Sequence, residues 1–165
     1  MNLFVTDVNP LLAAQHLDDV RLRKMVLETC QMLCTELRRR GHDMPYRSTH
    51  ASHPVVLSLR HDATLRWATR YLTFIGLEHR HRFGKTHLSF EKCWTRALVH
   101  MPLSDGEIPP FHNSARNLSR GLDFTHLPVP ESYRAYLCAR WASDVRPPVW
   151  TRRERPEWAR GDQHA

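Results

Sequence analysis

The chain has 165 residues, 41% hydrophobic and 25% charged, with 24 Lys plus Arg against 17 Asp plus Glu and a formal net charge of +7. That length fits one ordinary domain able to bury a real core, and the composition excludes wholesale disorder. No apolar run approaches the roughly 20 residues of a membrane span. The opening Met1-Asn2-Leu3-Phe4-Val5 also lacks the basic start and long apolar stretch of a secretory leader. The expectation is a cytoplasmic, monomeric protein with no membrane partner.

In chain order, Asn9-Pro10 starts a short helix through Leu17, with a capping side chain followed by proline at the first helical position. Asp18-Asp19 cap a longer helix that runs to Arg38-Arg39-Arg40 and stops at Gly41. Its acids at the start and arginines at the end suit the helix dipole. Residues 41–52 read as loop. His53-Pro54 begins another helical piece, and Asp62 begins a long helix toward Gly84. A further amphipathic helix covers Thr86 to Val99. Residues 102–130, with Pro102, Pro109, Pro110, Pro128 and Pro130, read as an irregular loop, and a last helix covers Glu131 to Ser143. Strand-like alternation is nearly absent. The fold class is therefore all-α: a compact single-domain helical bundle, residues 1–144, with an extended, basic C-terminal arm, residues 145–165.

Lysine occurs only at 24, 85 and 92, so arginine supplies nearly all the positive charge. Arginine forks grip phosphate oxygens bidentately, which points to nucleic acid; a GC-rich coding bias accounts for the same excess equally well. Cys30 and Cys34 sit one helical turn apart in an apolar helix and there is no CxxC. The cysteines read as packing residues, and neither a metal nor another cofactor is expected.

The helix from 19 to 40 carries the most information. At 100° per residue, Arg21, Lys24, Glu28, Gln31 and Thr35 share a sector about 80° wide. Apolar shoulders flank it, and Leu22, Val26, Cys30, Leu33 and Leu37 fill the opposite face. A surface helix shows the reverse proportions. So narrow a polar strip lines a cleft or meets buried polar partners. Lys24 and Glu28 are one turn apart, and two readings stand. They form a plain ion pair in a polar interface, or an amine and a carboxylate placed for Schiff-base chemistry on an aldehydic sugar. Asp19 joins them as a third candidate catalytic group.

Other candidate contacts to nucleic acid are Arg21 and Gln31 on the same strip. His50 and His53 stand beside a helix start, where they cap or receive an anion. Arg82, Lys85 and His87 lie in the run from His79 to His87, which reads as a phosphate clamp or as a solvated helix end. In the arm, Trp150, Arg152, Arg153 and Trp158 offer stacking faces and phosphate forks, or else the two tryptophans pin the arm to the core.

Ala13-Ala14-Gln15-His16-Leu17, followed by the basic helix containing Arg21, resembles the opening of the phage pyrimidine-dimer DNA glycosylase family (endonuclease V type). His53-Pro54-Val55-Val56, Trp67 through Gly84, and Pro147-Pro148-Val149-Trp150 are similar to its middle helices and aromatic C-terminal segment. A second similarity, to phage-encoded chains without an assigned activity, is carried by Asp19…Lys24-Met25…Glu28, His53-Pro54, Arg82-Phe83-Gly84-Lys85 and Pro156-Glu157-Trp158. The family resemblance implies an all-α protein that kinks duplex DNA, extrudes a base, cleaves its glycosidic bond and then cuts the abasic strand. It carries over Arg21 as a phosphate or base contact. It assigns no catalytic pair, because Asn2 stands where the family has its threonine and Leu22, not a glutamate, follows Arg21.

The expected function is thus a DNA base-processing enzyme: an N-glycosylase, with an abasic-site lyase step, acting on a damaged or modified pyrimidine. Two alternatives remain. One is a metal-dependent nucleotide phosphohydrolase built on His16, His42-Asp43, His61-Asp62 and Asp105. The other is a non-catalytic nucleic-acid-binding protein.

Overall fold

The computed structural model describes residues 1–103 and 109–160. Among these the chain is mainly helical, with six α-helices and one small antiparallel hairpin. The helices are α1 (Pro10–His16), α2 (Asp19–Arg39), α3 (Pro54–Ser58), α4 (Asp62–Phe83), α5 (Leu88–Val99) and α6 (Val129–Ala142). No helix is long and apolar enough to cross a membrane.

The helix starts are set by short side chains and prolines. Asn9 accepts the Leu11 N–H and precedes Pro10, and Asp18 accepts the Val20 and Arg21 N–H groups. Histidine does the same work twice more: the Nδ1 of His53 accepts from Val55 at 3.3 Å, and that of His87 from Ser89 at 3.1 Å. Helix α4 ends where Gly84 turns left-handed at φ 67°. Helix α6 begins two residues earlier than its sequence suggests. Pro128 and Pro130 fall at the cap and in the first turn, where a missing N–H costs nothing, so prolines that read as loop open a helix.

Helix α2 lies at the centre. Leu22, Met25, Val26, Cys30, Met32, Leu33, Cys34 and Leu37 are fully buried, packed between α4 and α5. Close approach of α4 and α5 depends on Gly76, whose missing Cβ leaves the space taken by the Phe90 ring. The 102–130 segment, expected to be irregular loop, holds the hairpin. Strand β1 (Arg116–Asn117) pairs with β2 (Leu122–Asp123), Arg116 opposite Asp123. Two-residue strands are too short to show alternation.

Of the expected arm, residues 145–160 are described and lie against the helices. The Asp19 N–H donates to Val149 O at 2.8 Å. Trp150 is buried, and its indole N–H donates to His16 O at 3.1 Å. Trp158 stacks on Trp141 at 5.7 Å and meets the edge of His16 at 5.4 Å.

Candidate active-site cleft

The polar strip of α2 opens onto a hollow of about 630 Å³. Its walls are the front of α2 (Val20, Arg21, Lys24, Glu28), the chain start (Met1, Asn2, Phe4), His53-Pro54, the segment from His112 to Asn117, Tyr136 and Arg140 of α6, and residues 144–146. Five cationic side chains, Arg21, Lys24, Arg116, Arg140 and Arg146, face two carboxylates, Glu28 and Asp144. Positive charge concentrated in a concave, low-dielectric site attracts and holds anions.

Glu28 is the centre of the arrangement. Its side chain is only 15% exposed, whereas that of Lys24 is 66% exposed, so the carboxylate lies on the floor and the amine at the mouth. Lys24 Nζ is 3.3 Å from Glu28 Oε1. The other oxygen, Oε2, accepts the main-chain N–H of Asn2 at 3.1 Å. Asn2 is itself clamped: the buried Tyr133 hydroxyl donates to its Oδ1 at 2.7 Å, and its Nδ2 donates to Ser114 O at 3.4 Å. Behind this sits Tyr71, fully buried, whose hydroxyl has no hydrogen-bond partner among the described residues. Burial pushes its pKa up, and the charges of Tyr133 and Glu28 add to the shift.

Arg21 is held at 3.3 Å by Asp18 and at 2.6 Å by Asp144, and the Trp141 indole N–H fixes Asp18 at 2.8 Å. It is a placed, largely neutralised guanidinium. Arg116 and Arg146 have no ion pair among the described residues and leave their charge available to a ligand. His53 accepts an N–H at Nδ1, so its neutral ring carries the proton on Nε2. Burial, then neighbouring positive charge, lowers its pKa, and it offers the cleft one neutral donor instead of a cation.

Four of the residues singled out in the sequence therefore meet in the cleft: Arg21, Lys24, Glu28 and His53. Asp19 does not. It faces away, accepting Arg82 at 3.1 Å and the Thr151 hydroxyl at 2.7 Å, and it fastens the C-terminal stretch. Arg82 is likewise no surface clamp. Its side chain is completely buried, donating to Glu78, Asp19 and the carbonyls of Gln15 and Leu17. Arg153 completes that network by gripping Glu78 at 2.7 and 2.9 Å. Burial alone would raise the Glu78 pKa; Arg153 and Arg82 outweigh it and hold the carboxyl below its usual range. Trp150 and Trp158 are occupied by packing, and His87 by its cap. Lys85 and Arg152 are exposed away from the cleft, Arg152 in a left-handed conformation at φ 57°. His50, also left-handed at φ 51°, bonds the Thr49 hydroxyl, and Gln31 does not reach the hollow.

Sequence reasoning missed the far wall: Asn2, His112, Ser114, Arg116, Tyr136, Arg140, Asp144 and Arg146. Nothing local marks them, since they come from the chain start, the segment between α5 and α6, α6 itself and the residues after it, and only the tertiary path brings them together. Among the described residues no group of three or more His, Cys, Asp or Glu side chains is placed to hold a metal ion. His42 stacks on His100 at 3.8 Å, His16 bonds the Thr6 hydroxyl at 3.0 Å, and Asp105 lies outside the described residues. The chain matches no protein-family model, no curated protein and no solved structure.

Proposed function

We propose that the protein is a DNA base-processing enzyme, an N-glycosylase with an abasic-site lyase step that acts on a damaged or modified pyrimidine. The observation that carries this reading is the Lys24–Glu28 pair, 3.3 Å apart, at the wall of a cation-lined hollow of about 630 Å³. A pocket of that size accommodates a single nucleotide. Phe4 and Tyr136, buried and stacked on each other at 6.2 Å, give the hollow an apolar edge beside its cations. The resemblance to pyrimidine-dimer glycosylases, set by Ala13 to Leu17 and Arg21, supports the same class. On this reading residues 1–144 act as one compact bundle in the cytoplasm, and Arg146 belongs to an arm, residues 145–165, that follows the phosphate backbone.

Glu28 takes a proton from the Lys24 side chain 3.3 Å away, the amine attacks C1′ of an extruded nucleotide, and the C1′–N bond breaks with its electron pair leaving on the base, which takes the proton from Glu28. Glu28 next takes the proton that the attached amine loses and returns it to the ring oxygen, which opens the sugar to an imine between Nζ and C1′. Glu28 then takes the C2′ proton, the 3′ phosphate leaves with the C3′–O electron pair, and water hydrolyses the imine to release the sugar remnant and restore the amine. Arg116 and Arg146 hold the flanking phosphates throughout.

The test is a panel of oligonucleotides with damaged and modified pyrimidines, scored for released base, strand cleavage and borohydride-trapped complex. Peptide mapping of a trapped complex should place the adduct on Lys24, and Lys24→Ala should abolish it there. Salt-sensitive binding without base release or cleavage on any substrate would leave the cationic cleft as a nucleic-acid-binding site alone.

A further inference from the structure

Besides Val20 of α2, two aliphatic tips outside the α-helices stand in or next to the cleft wall without packing on the core. Val145 lines the mouth and is fully exposed, set between Arg146 and Asp144, which Arg21 holds at 2.6 Å. Leu118 is 68% exposed at the turn of the β1–β2 hairpin, immediately after Arg116 and Asn117 of the cleft wall. A lone exposed aliphatic residue is ordinary. A pair set beside a cationic hollow is placed where the neighbours of a bound nucleotide would lie.

The hairpin is a firm support for its tip. Gly121 closes the turn at φ 66°, and the Ser119 hydroxyl donates to Asn117 Oδ1 at 2.7 Å. Below it, Asn113 ties the segment together, donating to Leu127 O at 3.1 Å and accepting from the Ala115 N–H at 3.1 Å and the Ser132 hydroxyl at 3.0 Å.

We propose that Leu118 and Val145 are wedges that enter the base stack beside the nucleotide drawn into the cleft and keep the gap open. The inference rests on the DNA reading above and adds the surface by which the duplex is deformed. Charge selects the occupant: Arg116 and Arg146 lie next to the tips, as a polyanion requires, and apolar side chains flanked by cations are how proteins kink and partly unstack a duplex.

The experiment uses the full chain, a duplex carrying a tetrahydrofuran abasic analogue flanked by 2-aminopurine, and the same strand unpaired. Unstacking brightens 2-aminopurine. Wild type should raise the duplex signal severalfold. Leu118→Ala and Val145→Ala should each remove at least half of that rise and weaken duplex binding about fivefold, with far less loss on the single strand, and Leu118→Met should restore the signal. Thermal midpoints equal to wild type are expected, because the tips touch nothing in the core. Variants that brighten the probe as wild type does, or that lose duplex and single strand equally, overturn the wedge. Binding by wild type without brightening overturns it too and leaves the cleft reading intact, whereas no binding to either DNA removes both.

Discussion

Two regions of this molecule are equally dense in charge and behave in opposite ways. Around Arg82 every charge is answered: Glu78, Asp19, Arg153 and two helix-end carbonyls satisfy one another out of water, and the result joins α1, α2, α4 and the C-terminal stretch. In the cleft the pairing is incomplete. Glu28 is satisfied, but Arg116 and Arg146 line the hollow with no ion pair among the described residues. The number of arginines is therefore no guide to function. What distinguishes a fastening from a binding site is whether the protein itself supplies the counter-charges.

This contrast can be broken most severely at Arg82. Arg82→Met leaves Glu78 with Arg153 alone and Asp19 with Thr151 alone in a largely buried setting, and a loss of about 3–5 kcal/mol in chemical denaturation is expected. A change under about 1 kcal/mol would show the network to be ornamental. Next in size, Glu28→Gln should slow base release about 100-fold or more while altering stability by less than about 1 kcal/mol, read by single-turnover kinetics beside a melting curve. Equal losses in both would make Glu28 a structural residue like Glu78. Gly76→Ala pushes a methyl group into Phe90 and should cost about 1–3 kcal/mol without touching the cleft, with catalysis per folded molecule unchanged.

A smaller effect comes from acid. Burial, and then Arg134, lower the His16 pKa from 6.5 to about 4. His53, His79 and His87 are also lowered, burial being the first cause in each. The unfolded chain therefore binds more protons than the folded one below about pH 6.5, and stability should fall as pH drops from there toward 4. His16 contributes about 1 kcal/mol after allowance for solvent screening. Melting midpoints at constant ionic strength check this, and greater stability at pH 5 than at pH 7 would contradict it. Smallest of all, Lys24→Ala should leave stability within about 0.5 kcal/mol, since the amine is mostly solvated.

The helices were legible because their signals are local. Asn9-Pro10, Asp18 and Gly84 act within one turn, and the apolar face of α2 is written in its 3.6-residue period. Half the cleft was legible for the same reason, as Arg21, Lys24 and Glu28 share a helix face. The other half was not. Arg116, Arg140 and Arg146 lie on separate segments, and only the tertiary path brings them opposite α2. Arg82 misled because exposure cannot be read from a run of basic residues. Its neighbours Arg80 and Lys85 are solvated, whereas Arg82 and His79 turn inward.

The tryptophan trio at the base of the C-terminal stretch has a practical consequence. Trp141 lies 5.1 Å from Trp150, at 75°, and 5.7 Å from Trp158, at 19°. Indoles this near couple their electronic transitions, so near-ultraviolet dichroism reports whether residues 149–159 are seated. Loosening of that segment ahead of global melting would appear as an early optical transition, separating local detachment from collapse of the helices.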